Sequence, residues 1–321
     1  MSTPGTSRPE RPERPVRVGT RASALARTQS EQVARALRDA LRRDVLLVEV
    51  TTGGDVSRAP LAQIGGTGVF VGALRDALLR GEVDVAVHSL KDLPTEPHPD
   101  IALAAVPLRE DPRDVVVARD GLTLGELPAG ARVGTGSPRR AAQLHALGLG
   151  LDVVAIRGNV DTRIRKVSDG EVAAVVLARA GLARLGRLGD VTEVLDPLQM
   201  LPAPGQGALA VECRLADTEL VEEVRAAVDH PRTRVAVAAE RALLAALEAG
   251  CSAPVGALAD LAEGEDGDEL WLRAVALSGD GAAAVRRSTS GPPHDGERLG
   301  RALAQEMLDE GAASLIEEQA S

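Results

Sequence analysis

Val83-Asp84-Val85-Ala86-Val87-His88-Ser89-Leu90-Lys91-Asp92-Leu93-Pro94 is the stretch from which the rest of the chain can be read. The run Val83 to Val87 has the length and β-branching of a buried strand, and Pro94 stops regular structure soon after it. Strands that open into polar loops are where doubly wound α/β proteins hold ligands. This exit carries His88, Ser89, Lys91 and Asp92 together. Of the 37 basic residues, only Lys91 and Lys166 are lysine. In a composition so biased to arginine, a lysine kept beside an aspartate marks a place where a compact ammonium is wanted. A lone Lys-Asp pair is more often a solvated ion pair. The remainder of the chain reverses that balance.

At 321 residues there is room for two or three domains and a large core. Phe70 and Trp271 are the only aromatic residues, so the core is built from Leu, Val and Ala, as in a soluble α/β protein. No run approaches the about 18 apolar residues of a membrane span. Residues 1–15, rich in Pro, Arg and Glu, lack an apolar signal region and read as a disordered leader. A cytoplasmic location is expected. The five histidines (88, 98, 145, 230 and 294) have no ligand spacing, and no CxxC or HExxH occurs, so no metal is expected. A net charge of −10 and the scarcity of aromatics exclude nucleic acid as a partner.

Strand, helix and glycine-loop signals alternate from Val16 onward. Val16 to Thr20 reads as a strand running into Arg21-Ala22-Ser23 and a helix to about Arg42; Leu46 to Val50 reads as the next strand. The glycine loop Thr51-Thr52-Gly53-Gly54-Asp55 and the segment Ile64-Gly65-Gly66-Thr67-Gly68-Val69-Phe70 lead into a helix near Val71 to Leu79. This alternation predicts a mainly parallel sheet. A second α/β unit starts after Glu110-Asp111-Pro112-Arg113-Asp114. Its turn Arg132-Val133-Gly134-Thr135-Gly136-Ser137-Pro138 repeats Arg17-Val18-Gly19-Thr20-Arg21-Ala22-Ser23. Each turn is either an ordinary N-cap or an anion cradle at a helix start.

Further strand exits carry Arg157-Gly158-Asn159, Arg163 and Arg184. Together with Arg21, Arg139 and Arg140, these arginines would line one cleft, where guanidinium forks match carboxylates. A small polycarboxylate ligand is expected. Arg225 and Arg241, on helices, carry no such argument. Pro202-Ala203-Pro204-Gly205-Gln206-Gly207 reads as the chain returning to the first lobe. A helix after His230-Pro231 is expected to end at Gly250 as its C-cap. Strands near Val255–Leu258, Leu270–Leu277 and Ala284–Ser288, with a helix near Asp295–Gly311, predict a small α+β domain in which Glu263–Glu269 is a loop. Cys213 within a strand reads as a small buried hydrophobe. Cys251, on a loop past a helix C-terminus, gains no thiolate stabilisation there and suits permanent attachment of a group. A disulfide between the two is not expected.

The residues quoted above carry a family resemblance. Gly19-Thr20-Arg21-Ala22-Ser23, Gly65 to Phe70, Val87 to Pro94, Glu110 to Asp114, Gly136-Ser137-Pro138-Arg139-Arg140, Arg157-Gly158-Asn159, Gly205-Gln206-Gly207-Ala208 and Gly250-Cys251-Ser252-Ala253-Pro254 occur in this order. Each is weak alone; the ordered set is specific. The chain resembles the porphobilinogen deaminase (hydroxymethylbilane synthase) family from its first strand to its last helix. The resemblance implies three domains: two periplasmic-binding-protein-like lobes with mainly parallel sheets around a cleft, and a small α+β C-terminal domain. The expected division is residues 16–108 with 208–226, then 109–207, then 227–321. It implies a dipyrromethane cofactor held by a thioether to Cys251, and head-to-tail condensation of four porphobilinogen molecules into hydroxymethylbilane with loss of ammonia. It implies a monomer.

By resemblance, Asp92 is the catalytic aspartate, placed to contact pyrrole N–H groups and shelter the cation formed as ammonia leaves. Arg21, Ser23, Asp55, Ser89, Lys91, Ser137, Arg139, Arg140, Arg157, Arg163 and Arg184 match cofactor- or substrate-holding positions, and Phe70 an aromatic near the substrate pyrrole. Many family members carry lysines where this chain has Gln63 and Thr67; the arginines are expected to suffice. Two rival readings are a two-lobed anion-binding or effector-sensing protein without catalysis, and a Schiff-base enzyme using Lys91.

Overall fold

A computed structural model describes residues 14–50, 68–250, 253–264 and 267–317. The first lobe is one five-stranded sheet. Its strands are β1 (Val16–Thr20), β2 (Val45–Glu49), β3 (Val85–Ser89), β4 (Ile101–Ala105) and β10 (Leu209–Arg214), in the order β2-β1-β3-β10-β4. The second lobe repeats the plan with β5 (Asp114–Ala118), β6 (Arg132–Thr135), β7 (Asp152–Ala155), β8 (Ala174–Ala178) and β9 (Glu193–Val194), in the order β7-β6-β8-β5-β9. In each sheet one strand, β10 or β5, runs against both neighbours and the rest share a direction. The sheets are thus mainly parallel, as expected, with one reversed strand each because the chain crosses between lobes twice. The crossings are residues 106–113 and 195–208.

Helices α1 (Ala24–Leu41) and α2 (Gly68–Leu79) flank the first sheet; α3 (Pro138–Ala146), α4 (Val160–Ser168) and α5 (Arg179–Arg184) belong to the second. Val18, Leu37, Val85, Leu209, Val211 and Cys213 fill one core, and Val115, Val117, Val175 and Leu182 another. Burial pushes the Cys213 thiol up to about 12, which suits the inert, small-hydrophobe role expected of it. After β10 come α6 (Thr218–Val228) and α7 (Pro231–Ala246). A three-stranded antiparallel sheet follows, of β11 (Val255–Gly264), β12 (Gly267–Leu277) and β13 (Ala284–Gly291), with α8 (Gly296–Asp309) and α9 (Ala312–Glu317). Leu243, Leu270, Leu272, Leu303 and Met307 form its core.

Several expectations change. β3 begins at Val85 and continues through Ser89, so His88 belongs to the strand and not to a loop. β4 and β9 had no clear sequence signal, because Ile-Ala-Leu-Ala-Ala and a two-residue strand carry no period. α7 ends at Ala246, four residues before Gly250. Glu248 takes the left-handed position (φ 51), and Ala249 N–H reaches Leu244 O at 3.2 Å to close a Schellman turn. Of the stretch expected to be a loop, Glu263 and Gly264 belong to β11 and residues 267–269 to β12, with Glu263 opposite Asp268; residues 265 and 266 lie outside the described residues. Arg14, assigned to the leader, is anchored by Asp84 at 2.7 Å. No described helix is long and apolar enough to cross a membrane.

Candidate functional site

The repeated strand-to-helix turn is realised in both lobes. Ser23 caps α1, accepting from Ala26 N at 3.3 Å, and Ser137 caps α3, accepting from Arg140 N at 3.5 Å. Arg21 stands half-buried before the first cap. Its counterpart in the second lobe is Gly136, where a Cβ would lie 2.7 Å from Ile156 O, so no side chain fits. Arg163 occupies the space above it, its Nε donating to Gly158 O at 2.9 Å. Burial, and then the Arg140 charge, lower the Arg163 pKa.

Arg139 and Arg140 are almost wholly buried and share one carboxylate. Arg139 Nη2 and Arg140 Nη2 each lie 2.8 Å from an oxygen of Asp114, which has no exposed surface. Burial pushes the Asp114 carboxyl up, but the Arg139 and Arg140 charges and hydrogen bonds outweigh this and hold it at about 2. Two buried guanidiniums against one carboxylate leave excess positive charge at the start of α3.

Across the crossing stands the turn Leu90–Asp92, a single 3₁₀ turn entered from Ser89. The Ser89 hydroxyl accepts from Gln29 Nε2 at 3.0 Å, which ties the strand end to α1. Lys91 Nζ lies 3.5 Å from Gln206 Oε1. Burial and then the Arg140 charge bring the Lys91 pKa down to about 8, with Asp92 and Asp114 opposing. Gln206 has no exposed surface; its Nε2 donates to Asp114 Oδ1 at 2.8 Å and to Pro112 O at 2.6 Å. The Lys91–Asp92 turn of one lobe and the Asp114 group of the other therefore meet through one amide.

Arg184 also reaches this junction, its Nη2 donating to Gly207 O at 2.7 Å. Arg184 Nε and Arg139 Nε are buried without a hydrogen-bond partner among the described residues. Gly207 sits at φ 87, and a Cβ there would lie 2.3 Å from Glu110 O, so the two crossings touch where only glycine fits. Arg157 stands apart: it is exposed and borders a cavity of about 430 Å³ along β7 with Arg132 and Lys166. His88 also leaves the set. It faces inward to Glu212 at 3.2 Å, beneath the site, where the nearby His88 and the hydrogen bonds from Arg75 overcome burial and hold Glu212 at about 2. Asp55 and Cys251 lie outside the described residues, as do the departures Gln63 and Thr67 and the side chain of Phe70.

Three supports had no sequence signal. Glu240 on α7 is fully buried; its oxygens take Arg109 Nη1 at 2.7 Å, Gly205 N at 2.6 Å and Ala259 N at 2.9 Å. One carboxylate thus joins both crossings to the C-terminal sheet. Arg241, the next residue, donates to Leu93 O at 3.1 Å and Pro94 O at 2.6 Å, directly behind Asp92. Gln206 was quoted within a motif but given no role. A single Glu, Arg or Gln makes no local pattern, and its partners here stand far off in sequence.

Two α/β lobes joined by paired crossings, with a strand-exit Lys-Asp turn facing excess buried positive charge, define a two-lobed protein whose charge layout suits an anionic ligand. The comparisons give the particular family. The family model described as porphobilinogen deaminase, dipyromethane cofactor binding domain, matches residues 16–222, and that described as porphobilinogen deaminase, C-terminal domain, matches residues 235–309. Porphobilinogen deaminase of Nocardia farcinica is 58% identical over 312 residues, 96% of this chain and 89% of the relative. Porphobilinogen deaminase 1 of Streptomyces coelicolor is 60% identical over 317 residues, 96% and 99% of the two chains. Among solved structures, the methionine binding protein MetQ aligns with TM-score 0.43 and 15% identity over 66% of this chain and 89% of its own. The chain belongs to the porphobilinogen deaminase family. It condenses porphobilinogen into the linear tetrapyrrole hydroxymethylbilane with release of ammonia, a transferase of porphyrin biosynthesis, and its cofactor is dipyrromethane. This membership sets aside the reading as a non-catalytic sensor.

The residues present fit that cofactor. Dipyrromethane and the chain grown on it carry carboxylates, and Arg139 and Arg140 share a single buried Asp114 while Arg184 keeps a buried Nε without a partner among the described residues. Such a cluster is balanced by added anions.

Proposed function

We propose that Asp92 is the catalytic residue of this condensation and that Cys251 holds the dipyrromethane through a thioether. When bound, dipyrromethane supplies the free pyrrole carbon to which the first porphobilinogen is joined. The Asp92 carboxylate accepts the pyrrole N–H of the incoming porphobilinogen. There it stabilises the positive charge that develops as ammonia leaves the protonated aminomethyl group. Once the new carbon–carbon bond has formed, it accepts the proton lost from the attacked pyrrole carbon, which offsets the proton carried off with the ammonia. Arg21, Ser23, Lys91, Ser137, Arg163 and Arg184 hold carboxylates of the growing chain, with Ser89 setting the strand exit. Arg139 and Arg140, neutralised in part by Asp114, act as a fixed positive floor. Arg157, Asp55 and Phe70 complete the binding set on the strength of their motif positions. The same reading divides the chain at residues 109, 208 and 227, and makes the protein a cytoplasmic monomer.

The observation that carries this reading is the meeting of the Lys91–Asp92 turn with the doubly paired Asp114 across Gln206. Intact mass of the purified protein and of Cys251→Ala tests it. The expected result is a mass excess over the sequence, matching two pyrrole units, that vanishes in the variant. A protein with no excess that still makes hydroxymethylbilane overturns it.

A further inference from the structure

Gln143 lies on α3 one turn after Arg139 and is almost wholly buried. Its side-chain amide grips a single residue of the second crossing. Leu201 N donates to Gln143 Oε1 at 2.8 Å, and Gln143 Nε2 donates to Leu201 O at 3.0 Å. The amide serves Leu201 as a neighbouring strand would. It has one orientation, because a backbone N–H can only donate and a backbone C=O can only accept. Nε2 also lies 3.4 Å from Arg139 O. Leu201 is buried and belongs to no strand, so no sheet ladder serves its N–H and C=O.

The same carbonyl holds the Arg139 guanidinium. Arg139 Nη1 donates to Leu201 O, and Nη2 donates to Asp114 Oδ2 at 2.8 Å. Both lone pairs of Leu201 O are therefore taken, one by each of these α3 side chains. A guanidinium is planar, so acceptors at two of its corners fix its tilt, whereas a single acceptor lets it swing. Asp114 sets one corner from β5. Leu201 sets the other, and Gln143 holds Leu201 from the α3 side. The far side is backed by the C-terminal sheet: Ala257 N donates to Pro202 O at 2.9 Å, and Leu201 packs with Leu258, Val275 and Leu277. Arg139 Nε is buried without a hydrogen-bond partner among the described residues, so the tilt decides where that donor points. We propose that Gln143 is a positioning residue that clamps Leu201 and so fixes the Arg139 guanidinium at the angle that meets ligand carboxylates. This rests on the role as a positive floor given to Arg139 above.

Gln143→Met keeps the length of the side chain and removes both polar atoms. In the purified full-length enzyme, amide exchange at Leu201 is expected to quicken about tenfold, the effect of losing its acceptor. Unchanged exchange there overturns the clamp. KM for porphobilinogen is expected to rise about fivefold with kcat within about twofold, since an anion contact and not the reacting turn is disturbed. An unchanged KM overturns the proposal. Gln143→Glu keeps an acceptor for Leu201 N but loses the donor to Leu201 O. It is expected to raise KM likewise, and it decides the matter where the methionine variant fails to fold. A double-mutant cycle with Arg139→Met separates positioning from packing. Asp114 keeps Arg140 and Gln206 as partners in that background. The KM effect of Gln143→Met is expected to vanish there, and a rise that survives overturns the proposal. If Arg139→Met alone leaves KM unchanged, the floor role of Arg139 fails, while exchange at Leu201 still reports on the clamp.

Discussion

The two lobes use the same strand order and the same serine-capped turn, yet they spend them differently. In the first lobe the cap Ser23 is followed by Ala24-Leu25-Ala26, and the last residue of β3, Ser89, pairs with the apolar Leu209. In the second, Ser137 is followed by Pro138-Arg139-Arg140, and the last residue of β8, Ala178, pairs with Asp114. One exchange at an equivalent ladder position, Leu209 for Asp114, goes with the difference. A buried carboxylate lets two arginines fold into the second lobe as a charged floor. The first lobe, without it, leaves its strand exit to Lys91 and Asp92. On the proposed reading, chemistry stands on the lobe whose strand exit meets an apolar residue, and ligand charge is met by the lobe whose exit carries two buried arginines.

This division breaks if the turn proposed as catalytic proves dispensable. Asp92→Asn keeps shape and removes charge, so product formation is expected to fall about a thousandfold or more, the range of a lost general acid–base and electrostatic group. Single-turnover release of ammonia measures it, and wild-type rates would place the chemistry elsewhere. Asp114→Asn strikes the other lobe. It strands two buried guanidiniums, and a loss of about 3–5 kcal/mol in unfolding free energy is expected by denaturant titration. Its pH signature has a fixed sign. The depressed Asp114 carboxyl contributes stability that is whole above its unfolded value of 3.8 and is lost as pH falls through about 2. The variant should lack that acid-side loss.

The third prediction sharpens the contrast between ammonium and guanidinium. With a midpoint near 8, Lys91 loses most of its charge between pH 7 and pH 9, so its share of carboxylate binding weakens as pH rises. KM for porphobilinogen is expected to climb by up to about tenfold over that span. Lys91→Arg, charged throughout, should flatten the climb; a parallel climb in the variant removes Lys91 as its source.

The repeated turn was legible in the sequence because its parts are local: a strand, a glycine, a serine cap and a helix start lie within seven residues. Lys91 and Asp92 were legible because composition singled out the lysine. His88 was misplaced because β3 is buried on both faces, and a strand of that kind shows no alternation to say where it stops. Arg139 and Arg140 were expected to line a cleft; their burial depends on Asp114, a partner 25 and 26 residues away. Glu240 was invisible for the same reason, since its ion pair spans 131 residues. Local pattern reveals caps and exits, whereas a buried charge is explained only by partners that the fold brings to it.

Arg241 carries the smallest expected effect and draws the C-terminal domain into the comparison. On sequence it is one arginine among many on a helix. In the fold its guanidinium holds the carbonyls of Leu93 and Pro94, the two residues after Asp92, while the neighbouring Glu240 grips both crossings. Losing two charge-assisted bonds to a half-buried loop is worth about 1 kcal/mol, so Arg241→Met is expected to lower kcat about three- to tenfold with KM nearly unchanged. Amide exchange at Leu93 should quicken by a similar factor while exchange along β8 in the second lobe stays as it was. Faster exchange in both lobes would make Arg241 a general structural tie. Unchanged exchange at Leu93 would mean that the turn proposed as catalytic holds itself without Arg241.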